Sequence, residues 1–387
     1  MAEKKKQHYV PRFYLKRFAT CDKKFNLYSI ERKSVIADGN SVPYKDQFYE
    51  DYFYGEDKVW ENKLDDLESK WDKSFLNVIE ERYSDIDIEN LKEFAVFQYG
   101  RTLFQLNQQV DSSAKIVYEM LKMVLANQGK DDSLSLNVAQ QLSKKKAEEM
   151  TSPAKLLDIF EKIVIEISDL EFKHISFKTK NKLISSDNPI VVINPFLKTN
   201  IGFGIIGLVI LFPISPEDVC ILYDSKIYDK ISKISNTCKN DYIVKMLNSL
   251  FFVNAYSMLY SKDLFPKQLF SDFDYSLWKE NCKSSNVSSF GTNKEGIVAV
   301  HRGSIKYDKL PYFFSISPSF NAIAPDFRTP VPRKYDFGYE RKIKEEYTVI
   351  PSVLARSKDD IIDDQYIKNY TFNHERYYFL IMKYWGK

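Results

Sequence analysis

The stretch "LISSDNPIVVINP" (183–195) holds two short apolar runs separated by a polar turn that ends in a proline. Runs of the same kind recur through this part of the chain: "HISFKT" (174–179), "KLISS" (182–186), "IVVIN" (190–194), "LVILFPI" (208–214) and "VCILYD" (219–224). Short runs rich in β-branched residues and bounded by turn residues predict β-strands. Residues 171–262 are therefore expected to build a mostly antiparallel sheet.

Upstream of this sheet, from Lys58 to about Gln128, the apolar residues recur with the period of a helix. They form two stripes: Leu64, Leu67, Trp71, Phe75, Val78 and Ile79, then Leu91, Phe94, Ala95, Phe97, Leu103 and Leu106. Two long helices are expected there, with a further helix over 153–165 and another over 241–261. The sequence thus predicts an α+β fold in which a helical layer, about residues 58–168, packs on the sheet.

The rest of the chain, residues 263–387, is predicted to be a loop-rich C-terminal extension, and its role is unknown. A short helix is expected around Tyr275 to Cys282, and residues 296–307 are the best candidate for a pair of strands. Five prolines then follow between Pro311 and Pro332, where they disfavour regular structure. Two parts are expected in all, a domain over 7–262 and this extension.

The charge of the chain is almost balanced, with 56 basic and 53 acidic residues giving a net charge of +3. The whole-molecule field therefore does not call for nucleic acid as that of a strongly basic domain would, and any basic patch must be local. The best local candidate is "RKYDFGYERKIK" (333–344), with Arg333, Lys334, Arg341, Lys342 and Lys344. Such a run is either a solvated surface or a contact to a nucleic-acid backbone.

Four cysteines, Cys21, Cys220, Cys238 and Cys282, are widely spread and lack both C-x-x-C pairs and zinc-finger spacing. Reduced thiols in a cytoplasm fit this pattern best. The first residues are charged where a signal peptide would be apolar, and no apolar run approaches the roughly 18 residues of a membrane span. We therefore expect a cytoplasmic protein with no membrane partner.

The segment "GFGIIG" (202–207) matches the G-x-G-x-x-G pattern of dinucleotide-binding folds. In those folds the glycines follow a strand and open a helix, whose N-terminus binds the pyrophosphate. Here they precede the predicted strand "LVILFPI". The context is wrong for a dinucleotide site, and we interpret the segment as a turn.

The opening segment "KKKQHYVPRFYLKRFAT" (4–20) combines basic, aromatic and histidine residues. Pro11 is suitably placed at the start of a helix, with Tyr14, Leu15 and Phe18 on one face. The segment is thus either a functional arm or a short docked helix. The aromatic loop "PYKDQFYEDYFYGED" (43–57) is expected to cover something.

The polar turn Ser185 to Asn188 allows two interpretations. Asp187 and Asn188 can bond their own backbone in a hairpin turn that Pro189 fixes. Alternatively, Asp187 projects from a sheet end as a general base, a metal ligand or the group that orients a histidine. His8 would then be its natural partner.

Five segments carry a resemblance to a known family: "QHYVPRFYLKRFA" (7–19), "FQYGRT" (97–102), "SSDNPIVV" (185–192), "FPISPEDVCILY" (212–223) and "LNSLFFVNAYSMLYS" (247–261). Together they resemble an uncharacterised bacterial family with an N-terminal H-Y-V-P-x-F-x-L-x-x-F pattern and a central S-D-N-P segment. That family is known only as a domain of unknown function. What the resemblance implies is which positions to examine: His8, Tyr9, Pro11, Arg12, Arg101, Asp187 and Asn188.

These residue types suit phosphodiester or nucleotide chemistry. A histidine can move protons near neutral pH, arginines can hold a phosphate, and a carboxylate can orient the histidine or hold a metal. His8, Arg101, Asp187 and Asn188 are therefore the catalytic candidates, and Tyr9 and Arg12 the substrate-binding ones. The same residues could instead tie the N-terminal arm onto a sheet edge as a structural staple.

The first functional hypothesis is a phosphodiester-cleaving or nucleotide-modifying effector, such as a toxin or an anti-phage defence protein. A nucleic acid or nucleotide would be its partner, and a divalent metal is possible as cofactor. The alternative is a non-catalytic module that binds nucleic acid or protein through the loop 43–57 and the run 333–344. Whether the protein is an enzyme, and its oligomeric state, stay open at this point.

Overall fold

The computed structural model describes residues 5–130, 132–196, 202–265, 273–283, 287–290, 297–300 and 305–315. The helices of this part, in chain order, are α1 (Arg12–Arg17), α2 (Val59–Ile79), α3 (Asp85–Gly100), α4 (Leu103–Asn127), α5 (Ser133–Met150), α6 (Pro153–Ile163), α7 (Asp229–Ser232), α8 (Asp241–Asn254) and α9 (Tyr275–Lys283). Polar caps fix where several of them begin. Ser84 and Asp87 form a capping box at α3, and Thr102 accepts a hydrogen bond from the backbone of α4.

The strands are β1 (Lys6–His8), β2 (Lys24–Ser29), β3 (Ser34–Val35), β4 (Val42–Pro43), β5 (Tyr49–Asp51), β6 (Glu171–Phe177), β7 (Ser185–Ser186), β8 (Val191–Ile193), β9 (Val209–Pro213), β10 (Asp218–Tyr223), β11 (Thr237–Cys238), β12 (Met258–Ser261), β13 (Val287–Phe290) and β14 (Ile297–Val300). The central sheet has the order β11-β6-β10-β9-β8 and is antiparallel except for the β11–β6 pair. A second sheet has the order β3-β2-β12-β7, with β4 also on β2. The predicted α+β class with mostly antiparallel pairing is confirmed.

Both faces of the central sheet are buried. Along β10, Val219 and Ile221 belong to one apolar core and Cys220 and Leu222 to the other, as the alternation of a strand requires. The first core also contains the apolar face of α8, and the second contains residues of α1, α2, α3 and α6. Helices α2, α3 and α6 of the predicted helical layer therefore cover one face of the sheet, and α8 covers the other.

The N-terminal arm is part of the fold. Strand β1 pairs antiparallel with β5, which places His8 directly opposite Tyr49. Helix α1 begins directly after Pro11, and Tyr14 and Leu15 are fully buried in the second core. The arm is thus held by a sheet pair on one side and by apolar packing on the other.

The two long helices expected over Lys58–Gln128 are in fact three, α2, α3 and α4. The first break follows Ile79, where Glu81 adopts a left-handed conformation before the Ser84 cap. The second break lies between Gly100 and Leu103, where Thr102 caps the next helix. The apolar stripe continues across both breaks, so periodicity alone does not reveal them.

The helix expected over 241–261 ends at Asn254, and its last residues form β12 instead. The carboxylate of Asp187 binds the backbone N–H groups of residues 256–258, which a continuous helix would use internally. Strand β12 then pairs with β2 and β7. A contact from a distant segment therefore overrides the local helical pattern.

The strand pair expected within residues 296–307 is different in the structure. Strand β14 lies in that range, but its partner is β13, which lies upstream of it. Gly207 lies just before β9 and has a φ of +78°, a left-handed conformation that is common in turns. This agrees with the interpretation of residues 202–207 as a turn. The basic run 333–344 lies outside the described residues. Among the helices that are described, none combines the length and apolar character needed to cross a bilayer.

Candidate functional site

A surface cleft of about 620 Å³ lies between the N-terminal arm and α2. We call it the His8 cleft. It is lined by Lys5, Lys6, His8, Arg12, Asp51, Glu61, Leu64, Asp65 and Glu68. The basic residues come from β1, its flank and α1, and the carboxylates come from β5 and one face of α2. The cleft is therefore polar, with a basic wall and an acidic wall.

His8 is the imidazole of this cleft, and a hydrogen bond to the backbone fixes its ring. Its Nε2 lies 3.1 Å from the carbonyl oxygen of Lys45 and 3.5 Å from Nε of Arg12. The shorter contact assigns the ring proton to Nε2, which donates it to the Lys45 carbonyl. Nδ1 is then the accepting nitrogen, and the Arg12 guanidinium is a neighbouring charge and not a hydrogen-bond donor to the ring. Burial, reinforced by the nearby Arg12 charge, lowers the pKa of His8 from 6.5 to about 4. The imidazole is therefore neutral at physiological pH.

The charged groups around His8 have partners at the surface. Lys5 Nζ lies 3.0 Å from Asp51 Oδ2, and Lys6 Nζ lies 3.5 Å from Asp46 Oδ1 and 4.4 Å from the Tyr49 ring centroid. Exposed ion pairs of this kind contribute little to stability, because water screens them. A charged ligand can therefore exchange places with such a partner at little cost.

Arg101 lies beneath the cleft and is buried completely. Its Nη1 donates to Glu68 Oε1 at 2.8 Å, and its Nε donates to Gln98 Oε1 at 2.7 Å. Gln98 in turn donates to the carbonyl of Tyr9 at 3.0 Å. Arg101 therefore anchors one carboxylate of the acidic wall and, through Gln98, the backbone beside His8.

The ring of Tyr9 packs in the core, with centroids 6.1 Å from Phe48 and 5.7 Å from Phe53. Burial raises the pKa of its phenol far above the usual value. The three rings Phe48, Phe53 and Tyr54 of the loop 43–57 are buried as well. The expected cover loop therefore seals the core beneath the arm, and Tyr9 does not line the His8 cleft.

Asp187 belongs to a different set of contacts. Its Oδ1 accepts from the backbone N–H of Tyr256 at 2.9 Å, and its Oδ2 accepts from the backbone N–H groups of Ser257 and Met258 at 2.8 and 3.1 Å. The Ser257 hydroxyl donates to Oδ2 at 2.7 Å. Burial raises the pKa of Asp187 to about 6, against the donors, which lower it. The carboxylate closes the turn between α8 and β12.

Asn188 continues this arrangement with a reciprocal amide pair. Its Nδ2 donates to the Asn254 carbonyl at 2.8 Å, and Asn254 Nδ2 donates to the carbonyls of Asn188 at 2.6 Å and Ile190 at 3.1 Å. The Thr102 hydroxyl donates to Asn188 Oδ1 at 3.4 Å. We call Asp187, Asn188, Asn254, Ser257 and the backbone of residues 256–258 the Asp187 network. The α3–α4 junction, with Arg101 and Thr102, touches both regions.

The sequence model of the family described as Protein of unknown function (DUF4238) matches residues 6–264. The chain belongs to the DUF4238 family. The match includes the whole His8 cleft apart from Lys5, and all of the Asp187 network. Searches of curated proteins and of solved structures gave no match.

For this DUF4238 protein the structure brings only some of the candidate residues together. His8 and Arg12 line one cleft, with Arg101 directly beneath it, whereas the bonds of Asp187 and Asn188 go to the α8–β12 turn and to Asn254. Asp187 was expected to be the partner of His8. Among the described contacts, no hydrogen bond or ion pair joins the two residues.

Sequence reasoning missed the acidic wall of the DUF4238 cleft. Glu61, Asp65 and Glu68 recur at i, i+4 and i+7, so they share one face of α2. That spacing was visible in the sequence, but an acidic helical face is usually just solvated. Only the docking of β1 alongside it turns the face into a wall.

The possible divalent metal has no evident ligand set. Within the ranges that the structure describes, no three His, Cys, Asp or Glu side chains are grouped closely enough to hold an ion. The carboxylates nearest His8 are instead opposed by lysine and arginine, as in Lys5–Asp51 and Arg101–Glu68. We therefore derive the chemistry of the cleft from its own side chains.

Proposed function

We propose that the His8 cleft binds the phosphate of a nucleotide or nucleic acid, and that His8 accepts a proton there during phosphodiester cleavage or nucleotide modification. The observation that carries this proposal is a neutral imidazole beside an arginine in a polar cleft of about 620 Å³. A neutral histidine has a nitrogen free to take a proton, and the negative charge of a bound phosphate would raise the low pKa of His8 towards the range of a useful base. An adjacent arginine can bind the phosphate oxygens.

Phosphate recognition falls to the basic wall. Arg12 is exposed, and its planar guanidinium can form two parallel hydrogen bonds to phosphate oxygens. Lys5 and Lys6 lie on the same wall and can add charge by leaving their exposed partners Asp51 and Asp46. A phosphate held by Arg12 would then lie next to His8.

The proton transfer falls to His8 Nδ1. Water or a substrate hydroxyl attacks phosphorus, His8 takes the proton from the attacking oxygen, and the bond from phosphorus to the leaving oxygen breaks. Solvent then protonates the leaving oxygen. A positioned general base of this kind typically contributes about 10²–10⁴-fold to the rate.

The acidic wall suits the other end of the same ligand. Carboxylates accept hydrogen bonds from amino groups of bases and from sugar hydroxyls. Glu61 and Asp65 line this wall one helical turn apart, so they can bind such groups while the basic wall holds the phosphate. A ligand with an anionic end and a neutral, donor-rich end fits both walls.

The proposal is tested by titrating the full chain with a panel of nucleoside mono-, di- and triphosphates and short single-stranded oligonucleotides, followed by product analysis. We expect Arg12→Ala to weaken binding at least tenfold. His8→Ala should bind but turn over about 10²-fold more slowly or worse. Arg82→Ala is the matched control, since Arg82 is an exposed arginine paired with Glu80 and does not line the His8 cleft.

The outcomes separate the two functional hypotheses. Binding that requires Arg12 but gives no product would make the protein a non-catalytic nucleic-acid-binding module. Absence of binding by the wild type at millimolar ligand would contradict the proposal, as would equal affinities of the Arg12→Ala and Arg82→Ala variants.

A further inference from the structure

The fold leaves part of the Arg101 guanidinium unused. The side chain has no exposed surface, and its Nε and Nη1 donate to Gln98 and Glu68. Its Nη2 is also buried, but within the described part of the chain it has no hydrogen-bond partner. Buried polar groups are almost always bonded, because an unpaired donor in the interior costs free energy. Arg101 therefore has a place for one more acceptor.

Glu68 connects this guanidinium to the His8 cleft, which it lines. One carboxylate oxygen, Oε1, accepts the bond from Nη1 at 2.8 Å, and 24% of the Glu68 side chain is exposed. Because the side chain can change rotamer while α2 stays in place, the carboxylate can turn towards solvent. Arg101 is held more firmly, since Gln98 binds its Nε and the centroid of the Trp71 ring lies 6.0 Å from its Cζ. Glu68 is thus the member of the pair that can be exchanged.

We propose that Arg101 is a second, buried phosphate ligand of the His8 cleft, and that the Glu68 carboxylate occupies the position of the phosphate until a ligand arrives. This inference rests on the proposed function, since it adds a ligand to the phosphate that Arg12 holds. The position of His8 supports it. Burial, followed by the charges of Arg12 and Arg101, lowers the pKa of the imidazole to about 4. Both guanidinium groups therefore act on the place beside His8 where the phosphate would lie.

A phosphate is a better partner for Arg101 than the carboxylate is. A terminal phosphate carries about −1.5 to −2 charges at pH 7, and its three oxygens are strong acceptors. These oxygens can bridge Nη1 and Nη2 in two parallel hydrogen bonds, whereas the bond of Glu68 goes to Nη1. A guanidinium stays charged at physiological pH, so it needs an anion with or without a ligand. Glu68 meets that need in the free protein, and the phosphate replaces it on binding.

Binding of inorganic pyrophosphate to the full chain tests the exchange, because this probe has no base or sugar that could contact the acidic wall. Glu68→Gln removes the charge that competes for Arg101. The matched control is Asp65→Asn, which removes one charge from the same wall, while Asp65 is not an acceptor of the Arg101 bonds. By titration calorimetry we expect Glu68→Gln to bind pyrophosphate about tenfold more tightly than Asp65→Asn.

Glu68→Asp separates the exchange from a simple loss of charge. It keeps the negative charge on α2 but shortens the side chain by one methylene, so the carboxylate reaches Arg101 less well. It should therefore also bind pyrophosphate more tightly than the wild type does. In thermal unfolding, Glu68→Gln should melt below Asp65→Asn, because its buried guanidinium lacks a counter-charge. Saturating pyrophosphate should close most of that gap, since a ligand of the native state stabilises it by mass action.

Equal pyrophosphate affinities of Glu68→Gln and Asp65→Asn would overturn the inference. So would a melting temperature of Glu68→Gln that pyrophosphate raises no more than that of Asp65→Asn. If Arg12→Ala still weakens pyrophosphate binding in that case, the proposed function stands without Arg101. Absence of pyrophosphate binding at millimolar concentration, in the wild type and in Glu68→Gln alike, would contradict both proposals.

Discussion

The His8 cleft and the Asp187 network contain the same kinds of polar residue, but the two regions differ in how deeply those residues are buried and in which groups they bind. In the network, Asp187 and Asn254 are buried and their bonds go to fixed backbone groups. In the cleft, Lys5 and Arg12 are exposed, and Lys5 pairs with the carboxylate of Asp51, which is exposed as well. Residue identity in a motif therefore does not separate a binding site from a structural anchor, whereas burial and the permanence of the partners do.

The physical reason lies in what each arrangement can exchange. A buried carboxylate that holds three backbone N–H groups cannot release them without leaving donors unsatisfied in the core. A surface pair is replaced by water or by a ligand at almost no cost. The network is thus suited to holding α8 and β12 in place, and the cleft is suited to binding.

The largest expected effect is on the network. Asp187→Ala leaves the N–H groups of residues 256–258 without their acceptor and should lower the free energy of unfolding by about 3–5 kcal/mol. Urea unfolding measures this. Asp308→Ala, at an exposed carboxylate beside Lys309, is the control and should cost less than about 0.5 kcal/mol. A stable Asp187→Ala protein that lost only activity would place Asp187 in the site and break the comparison.

A smaller loss of unfolding free energy is expected when the amide pair of Asn188 and Asn254 is broken. Asn254→Ala leaves the buried carbonyls of Asn188 and Ile190 without their donor, and should cost about 1–3 kcal/mol. Asn107→Ala is a matched control, since that amide is exposed and donates to the Tyr256 hydroxyl. Equal unfolding midpoints for the two variants would show that the Asn254 amide contributes no more than a surface contact.

The pH dependence of the free energy of unfolding tests whether His8 is neutral and partly buried in the cleft. The folded pKa of His8, about 4, is below its unfolded value of 6.5, so the unfolded state binds the proton first. The contribution of neutral His8 is therefore complete above pH 6.5 and is lost as pH falls towards 4, on the order of 1–2 kcal/mol.

The measurement is the difference in unfolding free energy between wild type and His8→Ala from pH 7 to pH 4. Asp187, whose pKa is raised to about 6, changes stability in the opposite sense over part of this range, but it does so in both proteins and cancels. A difference that does not change with pH would contradict a neutral, buried His8.

The smallest effect on stability is expected at the basic wall. Arg12→Ala and Lys5→Ala should each change the free energy of unfolding by less than about 0.5 kcal/mol, because both side chains are exposed. Nucleotide binding should nevertheless weaken at least tenfold in Arg12→Ala. A large loss of stability in Arg12→Ala would make the cleft a second structural anchor.

The sequence was sufficient for the class of fold because its strands and helices have clear periods. The β runs 174–179, 208–214 and 219–224 all became strands, since both faces of the central sheet are apolar. The helix expected over 241–261 was wrong beyond Asn254, because the acceptor that stops it is Asp187, some 70 residues away. No local pattern carries that information.

The candidate site was foreseen only in part. His8 and Arg12 were selected from the N-terminal motif, and they do line a cleft. Glu61, Asp65 and Glu68 were not selected, because nothing in a charged helical face says what docks against it. Asp187 was placed with His8 because both are polar residues at element boundaries, and boundaries hold caps as often as they hold sites.

The central claim is that the His8 cleft is a binding site. Nuclear magnetic resonance of the four histidine imidazoles in the full chain tests it most directly. We expect the His8 resonances, assigned with a His8→Gln variant, to remain those of a neutral ring down to about pH 4 and to shift on addition of a mononucleotide. His174, buried 2.9 Å from Asp218, should not respond to the nucleotide. A His8 ring that titrates near pH 6.5, or one that ignores millimolar nucleotide, would contradict the proposed role of the cleft.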